Sequence, residues 1–573
     1  MSSFGNAPFP KKLLGLEDLH MYQDEIVEFV IDHPFCALFV DLGLGKTVST
    51  MTAMLQLACD FTDSGIITWL VIAPLRVANT TWPTEIEEWS HTRAMSISHI
   101  RDEVLVDAIN AAGQAARLLL KTFGVTHPDV VHLIRRHREL ELRRRAKKIG
   151  LTRSDITRYG RQHIDAAMLN PITTAERTIY VNVKRDQAAA AAVRRHKAAN
   201  PASIYVINRE QVEFLVRAWG SDWPYDGVVV DESSAFKDHT TKRWAALRRA
   251  RQYMKRMIQL TATPAAETYA HLFGQIGLLD LGERLGVTYT DFMDRYFVRN
   301  KWTRVDKLRP GAEEDIAKAI SDICLTMKAE DYLPMDAPTY VNRFVDLPAS
   351  AMDLYRGMER DGLVTLQGRE IEAPTAAAMS QKLLQIASGV LYETYLLEDI
   401  DTEDMVKVKH VHEVHDRKIQ DLKELVEETG ERILVAYHFK SSLDKLKKAF
   451  PKAVVMDKAG DAVKEWNKGK IPILLMHPQS GAHGLNLQKG GRYIYFYDIP
   501  WSLELYLQFI GRLHRQGQKD AVFVLHAVAR GTLDEYVVEC MMRKQDAQEG
   551  LFKLLKKLQR KWKKALTADS HDL

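Results

Sequence analysis

The chain has 573 residues, 46% of them hydrophobic and 27% charged, with 79 basic against 75 acidic side chains and a net charge of +4. That length exceeds one core and implies two or three domains of ordinary globular composition, which excludes disorder on a large scale. Four scattered cysteines without a CxxC pair argue against structural zinc and disulfides, and no apolar run of about 18 residues argues for a membrane span or signal peptide, so a cytoplasmic protein is expected.

Near the N-terminus, Gln23 precedes an amphipathic helix over residues 24–31. A glutamine amide pairs with both edges of adenine, so Gln23 is a candidate base reader, although capping or solvation is the plainer role. The apolar run Cys36-Ala37-Leu38 then leads into Phe39-Val40-Asp41-Leu42-Gly43-Leu44-Gly45-Lys46-Thr47, and residues 48–58 return as a buried helix. Strand, glycine turn and Lys-Thr at a helix start form a phosphate-binding loop. Gly43 and Gly45 let backbone N–H groups converge where the helix has unpaired donors. Lys46 would reach the β- and γ-phosphates of ATP, and the Thr47 hydroxyl would bind Mg²⁺. Val40 stands where the full pattern has a glycine.

Residues 65–74 form a continuous apolar run ended by Pro74, as a central parallel strand should be, and residues 77–89 follow as a helix with Trp82 and Trp89 on one face. Packing against the sheet is the expected use of these indoles; base stacking is the competing one. From about 101 to 177 the composition turns to helical segments rich in Arg, Ala and Leu, and residues 135–161 hold eleven basic against three acidic side chains, including Arg143, Arg144 and Arg145. Such a cluster would neutralise nucleic-acid phosphates, unless it is a solvated helix paired with acids elsewhere.

The next strands are expected at 203–208 and 227–230, the latter running into Asp231-Glu232-Ser233-Ser234. A carboxylate at the carboxyl end of a parallel strand faces the ligand crevice, so Asp231 is placed to hold Mg²⁺ and Glu232 to deprotonate the attacking water. Residues 257–264 repeat the layout, and the hydroxyls of Thr261 and Thr263 would couple the γ-phosphate site to the rest of the molecule or simply cap the next helix.

Gly-Leu-Gly-Lys-Thr (43–47), Asp-Glu-Ser-Ser (231–234) and Leu-Thr-Ala-Thr-Pro (260–264) resemble, in order, motifs I, II and III of superfamily 2 helicases and translocases, with the Swi2/Snf2-like group as the best match and phage or bacterial members as the nearest in wording. Residues 276–405 read as a mixed, largely helical linker or protrusion, and buried-type strands at 431–437 and 471–476 begin a second α/β domain. Residues 480–488, with Ser480, Gly484 and Asn486, look like motif V, and residues 508–518, from Gln508, look like motif VI. Arg512 and Arg515 are three apart, which on a helix aims both from one face toward a γ-phosphate as arginine fingers. A basic helix over 546–573 closes the chain.

The resemblance implies an α/β protein of two RecA-like domains, parallel sheets flanked by helices, at 1–275 and 406–545, with the helical insertion and the linker as additions. It implies ATP and Mg²⁺ between the domains, Gly484 and Gln508 on the nucleotide side, and DNA, duplex or forked, along Arg76, Asn208, Ser480 and Asn486. An ATP-dependent DNA translocase of phage or bacterial replication, recombination or repair is the expected function; an RNA helicase and an ATP-switched clamp without translocation are the alternatives.

Overall fold

The apolar runs become the strands of two parallel sheets in the computed structural model, which describes residues 13–59, 68–75, 77–100, 102–122, 127–148, 172–298, 306–366, 369–373, 375–398, 405–457, 461–479 and 485–569. The first sheet comprises β1 (Phe35–Val40), β2 (Trp69–Ala73), β3 (Ile97–Ile100), β4 (Ile204–Asn208), β5 (Gly227–Asp231), β6 (Arg256–Thr261) and β7 (Cys324–Met327). Their order is β3-β4-β2-β5-β6-β1-β7, with every pairing parallel. In β1, Ala37 and Phe39 enter the core on one face, while Cys36, Leu38 and Val40 enter the core on the other. Burial on both faces is why these strands read as unbroken apolar runs instead of alternating ones. Because the strands are parallel, the residues that follow β1, β5 and β6 all emerge at one edge of the sheet.

The second sheet comprises β8 (Thr339–Val345), β9 (Ile433–Ala436), β10 (Val454–Val455), β11 (Ile473–Met476), β12 (Tyr493–Phe496) and β13 (Phe523–Ala529), in the order β8-β13-β12-β9-β11-β10 and again parallel. The expected architecture of two α/β lobes is present. The span from 276 to 405, expected as a mixed, largely helical linker or protrusion, does carry helices such as Ala349–Asp361 and Ala376–Ala387, but it also builds part of both lobes. Its β7 completes the first sheet beside β1 and its β8 opens the second, so the chain crosses between the sheets within residues 328–338. Antiparallel strand pairs also occupy 363–366 with 369–372 and 390–398 with 405–413. A four-residue strand such as β7 is too short to register as a period, and β8 exposes most of its side chains at the sheet edge, which hides its strand character.

Between β3 and β4 lie α3 (Asp102–Thr122), α4 (Pro128–Lys148) and α5 (Thr174–Ala199), counted after α1 (Met21–Asp32) and α2 (Lys46–Cys59) of the first lobe. The insertion thus extends to Ala199 rather than to about 177, because the α5 helix is started by a reciprocal cap between Thr173 and Glu176 and meets no breaker before Asn200-Pro201. Ala189 and Val193 of α5 sit in the first lobe's core, whereas Ala116, Leu120, Val130, Ile134, Tyr180 and Val181 make a small core within the insertion. Arg138 and Glu176 join α4 to α5 through two bonds of 2.6 and 2.9 Å.

The final helices are α6 (Leu503–Ile510) and α7 (Leu533–Asp569). α7 belongs to both lobes: Val537, Val538 and Met541 are buried in the second, and Leu551, Phe552 and Leu555 in the first. Gln548 donates to the Ala262 carbonyl at 3.2 Å and Gln559 to the Cys324 carbonyl at 2.5 Å, and Lys556 is paired with Asp331.

Core histidines make the fold sensitive to acid. His526 on β13 is 1% exposed and hydrogen-bonded to the Tyr506 hydroxyl at 2.9 Å and the Asn342 side-chain oxygen at 3.0 Å. Burial lowers the pKa of His526 to about 4, and burial does the same first and foremost for His415 and His271, each to about 4. The folded protein therefore holds these rings neutral, while the unfolded chain protonates them near the ordinary value of 6.5. Stability is full above that value and declines as the pH falls toward 4. Urea unfolding at pH 5 is expected to show a loss of about 2 kcal/mol from His526 relative to pH 7, and His526→Gln should flatten that part of the slope; an unchanged pH dependence in the variant would assign it elsewhere.

Candidate nucleotide site between the lobes

Gly43 and Gly45 adopt positive φ angles of 89° and 73° and turn the chain from β1 into α2. The positive φ favours glycine at 45, and a Cβ there would lie 2.0 Å from the Gln23 amide nitrogen, so any other residue would push the Gln23 side chain aside. Gly45→Ala is expected to weaken ATP binding by about tenfold or more, by displacing Gln23 and straining the loop. Gly220→Ala is the control: at φ 55° and ψ −123° a Cβ strains the backbone, but nothing lies within 4 Å, so it should cost about 1–3 kcal/mol of stability while leaving nucleotide affinity unchanged. Titration with a fluorescent ATP analogue, beside thermal melting, separates the two effects.

Lys46 bends back over the loop, with its ammonium donating to the carbonyls of Val40 at 2.5 Å and Asp41 at 2.9 Å. Burial lowers its pKa, opposed by the carboxylates of Glu232, Asp41 and Asp231. Asp231, at the end of β5, accepts from the Trp82 indole at 3.0 Å and from the Glu232 backbone N–H at 3.0 Å. Burial nonetheless raises its pKa. Glu232 has left-handed backbone angles, φ 56° and ψ 59°, at the turn from β5 into the short helix Ser233–Phe236. A non-glycine residue held there carries strain of about 1–3 kcal/mol. Its carboxyl is pushed up to about 8, chiefly by burial and then by the charges of Asp231 and Glu504, with Lys46 and Arg512 acting the other way.

The second lobe supplies the opposite wall. Glu504 of α6 accepts from Ser234 at 2.9 Å and from Gln508 at 3.4 Å. Arg512 is 5% exposed and acts electrostatically on Glu232, and Arg515 acts on Lys46. The Arg515 Cβ would stand 3.5 Å from a Cβ on Gly43, and Gly511 leaves room for Leu42, whose Cδ1 a Cβ there would meet at 2.6 Å. Gln516 hydrogen-bonds His20 at 3.1 Å. The two arginines are not on a helix, as the spacing suggested: α6 ends at Ile510, and both lie in the turn that follows, which reverses through Gly517 at φ 91°. A turn lets residues three apart address different partners, here Glu232 for Arg512 and Glu85 of the first lobe for Arg515.

Other expected site residues divide. Gln23 is 5% exposed and its amide is engaged within the protein, accepting from the His20 N–H at 2.8 Å and donating to the Leu44 carbonyl at 3.5 Å; reading adenine would exchange those bonds. Thr47 is half-buried at the start of α2. Thr261 caps locally by accepting from the Thr263 N–H at 3.0 Å. The Thr263 hydroxyl and the Gln508 side-chain oxygen are buried and lack a hydrogen-bond partner among the described residues. Asn208 ends β4 and accepts from the Glu210 N–H at 3.4 Å, and Asn486 receives a bond from Asn467 at 2.7 Å on its carbonyl. Arg76, Ser480 and Gly484 lie outside the described residues, as do the side chains of Arg143, Arg144 and Arg145 on α4.

Two buried carboxyls with raised pKa values within electrostatic reach of a buried lysine and of Arg512, with buried polar atoms on Thr263 and Gln508 that lack a partner among the described residues, suit a magnesium-bound polyphosphate. The SNF2-related domain family matches residues 22–385, more than half of the chain, and the helicase conserved C-terminal domain matches 417–517. Protein p41 of Acyrthosiphon pisum secondary endosymbiont phage 1 is 32% identical across 94% of this chain and 98% of its own length.

The chain belongs to the SNF2-related family.

It is accordingly an ATP-hydrolysing enzyme of the superfamily 2 helicase and translocase class, with nucleic-acid-dependent ATPase activity. The uncharacterized ATP-dependent helicase YqhH of Bacillus subtilis is 22% identical over 56% of this chain and 58% of that one. Among solved structures, the SWI2/SNF2 ATPase core of Sulfolobus solfataricus in complex with dsDNA is 16% identical over 94% of each chain, with a TM-score of 0.37. Three contacts of the site escaped the sequence. Trp82 was expected to pack against the sheet, with base stacking as the alternative, and it also donates to Asp231; Glu504 and Glu85 were not singled out, yet Glu504 raises the pKa of Glu232 and Glu85 that of Arg515. They come from distant positions and carry no local pattern. No helix among the described residues is long and apolar enough to cross a membrane.

Proposed function

We propose that this SNF2-related protein is a DNA-stimulated ATPase that translocates along duplex DNA in phage or bacterial replication, recombination or repair. The observation that carries the reading is the split site: Lys46, Asp231 and Glu232 on one lobe, with Arg512 and Arg515 on the other, within electrostatic reach of one another. Lys46 would exchange its loop carbonyls for the β- and γ-phosphates, and Glu232 would take a proton from the attacking water. Thr47 and Asp231 would hold Mg²⁺, which when bound neutralises phosphate charge. Arg512 and Arg515 would stabilise the charge that develops on the γ-phosphoryl group, an interaction available only while the lobes are closed. Hydrolysis would remove it and bias the lobes toward a different arrangement, which is how turnover becomes a step. The basic insertion supports a polyanionic track, and the phage origin of the p41 relative supports the setting.

The deciding measurement is steady-state ATP turnover with duplex DNA, single-stranded DNA, RNA and no nucleic acid. Stimulation chiefly by duplex DNA is expected; none by any DNA would overturn the reading, and preferential stimulation by RNA would replace it with an RNA helicase. A triplex-displacement assay then tests movement, and turnover without displacement would favour the clamp.

A further inference from the structure

A second cationic feature lies away from the nucleotide site. α3 and α5 pack side by side in the insertion and leave a groove of about 490 Å³, whose walls carry Arg117 and Lys121 from α3 and Arg177 and Arg185 from α5. Thr178 and Asn182 add hydroxyl and amide groups, and no carboxylate or aromatic ring lines it among the described residues. Four other cations of this region are paired: Lys184 with Asp129 at 3.1 Å, Arg194 with Asp222 at 3.6 Å, Arg217 with Asp186 at 3.0 Å and Arg138 with Glu176 at 2.6 Å. Acids are therefore present on neighbouring surfaces but kept out of the groove, where none of the four cations has a carboxylate partner among the described residues. Arg185 is also held in place: it lies over Gly113 of α3, where a Cβ would come within 2.5 Å of its Nε, and that Nε is buried without a hydrogen-bond partner among the described residues.

We infer that this groove is a nucleic-acid phosphate site, a second grip on the track outside the two lobes. Several facts favour a phosphodiester backbone over a free nucleotide or phosphate ion. Arg117 and Lys121 are four residues apart, so about 6 Å along α3, and Arg177 and Arg185 are eight apart, about 12 Å along α5. Each duplex strand presents a phosphate every 3.4 Å or so along its axis, so the two rows address several phosphates at once. Without an aromatic ring there is nothing to stack a base, as a nucleotide pocket or a single-strand platform would need. Contacts of this kind hold the backbone and carry no sequence information, which suits a moving enzyme. The groove lies next to, but outside, the first lobe's core: the α5 residues seated in that core, Ala189 and Val193, come about 6 and 12 Å further along the helix than Arg185. The insertion thus holds the groove beside the lobe, after the edge strand β3.

The inference rests on the protein acting on nucleic acid, and its test is separable from that reading. Binding of a fluorescent 20-base-pair duplex to the full-length protein would be followed by anisotropy across a KCl series, for the wild type, for the triple substitution Arg117→Ala, Lys121→Ala, Arg177→Ala, and for Arg185→Ala. At about 0.9 per neutralised phosphate contact, the triple variant should show a slope of log affinity against log salt shallower by about 2.7. Its affinity should fall at least tenfold at physiological salt. A charge-preserving variant, Arg117→Lys with Arg177→Lys, should keep the wild-type slope, which separates charge from packing, and far-UV circular dichroism checks that the helices persist. An unchanged slope in the triple variant overturns the inference, as does equal loss in the charge-preserving variant. So does inorganic tripolyphosphate displacing no duplex from the wild type while binding the groove on its own. If the wild type binds duplex through the groove but its turnover is not stimulated, the proposed function fails and the groove stands.

Discussion

Replacing Glu232 by glutamine is expected to leave ATP binding within about twofold of wild type while reducing turnover by about 10²–10⁴-fold, the usual contribution of a positioned general base. The substitution is nearly isosteric and keeps the left-handed turn after β5, so the Ser233–Phe236 helix and its bond from Ser234 to Glu504 should persist. What it removes is the proton acceptor; because the Glu232 carboxyl is pushed up to about 8 and so is largely neutral at pH 7, little charge beside Lys46 is lost and nucleotide affinity should be nearly unchanged. Single-turnover hydrolysis beside equilibrium titration distinguishes the outcomes, and turnover retained within tenfold would place the base elsewhere. Asp231→Asn is the companion: it disturbs the group held by the Trp82 indole and should weaken magnesium-dependent affinity first.

Arg515→Ala is expected to reduce the rate of hydrolysis by about 10³–10⁵-fold, the range over which an arginine supplied from across a cleft acts. Burial lowers the pKa of Arg515, with Glu85 of the first lobe opposing that shift, and its guanidinium donates to the Leu485 carbonyl of its own lobe at 3.4 Å, a bond that reaching a γ-phosphate would exchange. Lysine at this position restores charge but not the planar fork, so Arg515→Lys should recover only a small part of the loss. Arg512 faces Glu232 and should behave differently, because its removal also takes away a cation that lowers that carboxyl's pKa. Rapid-quench measurement of the chemical step, with nucleotide affinity measured separately, would show whether Arg515 acts on the transition state. A matched loss of affinity and rate would instead make it a ground-state contact.

The phosphate loop was legible because its chemistry is local: two glycines, a lysine and a threonine define the turn whatever surrounds them, and the missing glycine at Val40 falls on the last residue of β1, where a strand side chain is buried. Asp231 and Glu232 were legible because a parallel strand must end at the ligand edge. The arginines were legible as a pair but not in conformation, since a spacing of three fits a turn as well as a helix. The interval from 276 to 405 was least legible. β7 is short, β8 is an exposed edge, and paired strands far from the main sheets need no apolar period. Trp82 shows the general limit: an indole buried at 0% exposure looks like packing in any sequence, and only the fold places its N–H against a carboxylate 149 positions away.

One helix sets how far the two halves can part. From Met541, in the second core, to Leu551, in the first, α7 runs ten residues without a break, about 15 Å of rigid rod. Pulling Leu551, Phe552 and Leu555 out of their seat would expose three large side chains at about 1.5–3 kcal/mol each. Wide separation therefore needs an input comparable with the stability of a small domain. The helix is a tether of fixed length, which favours small rearrangements that keep both of its seats filled.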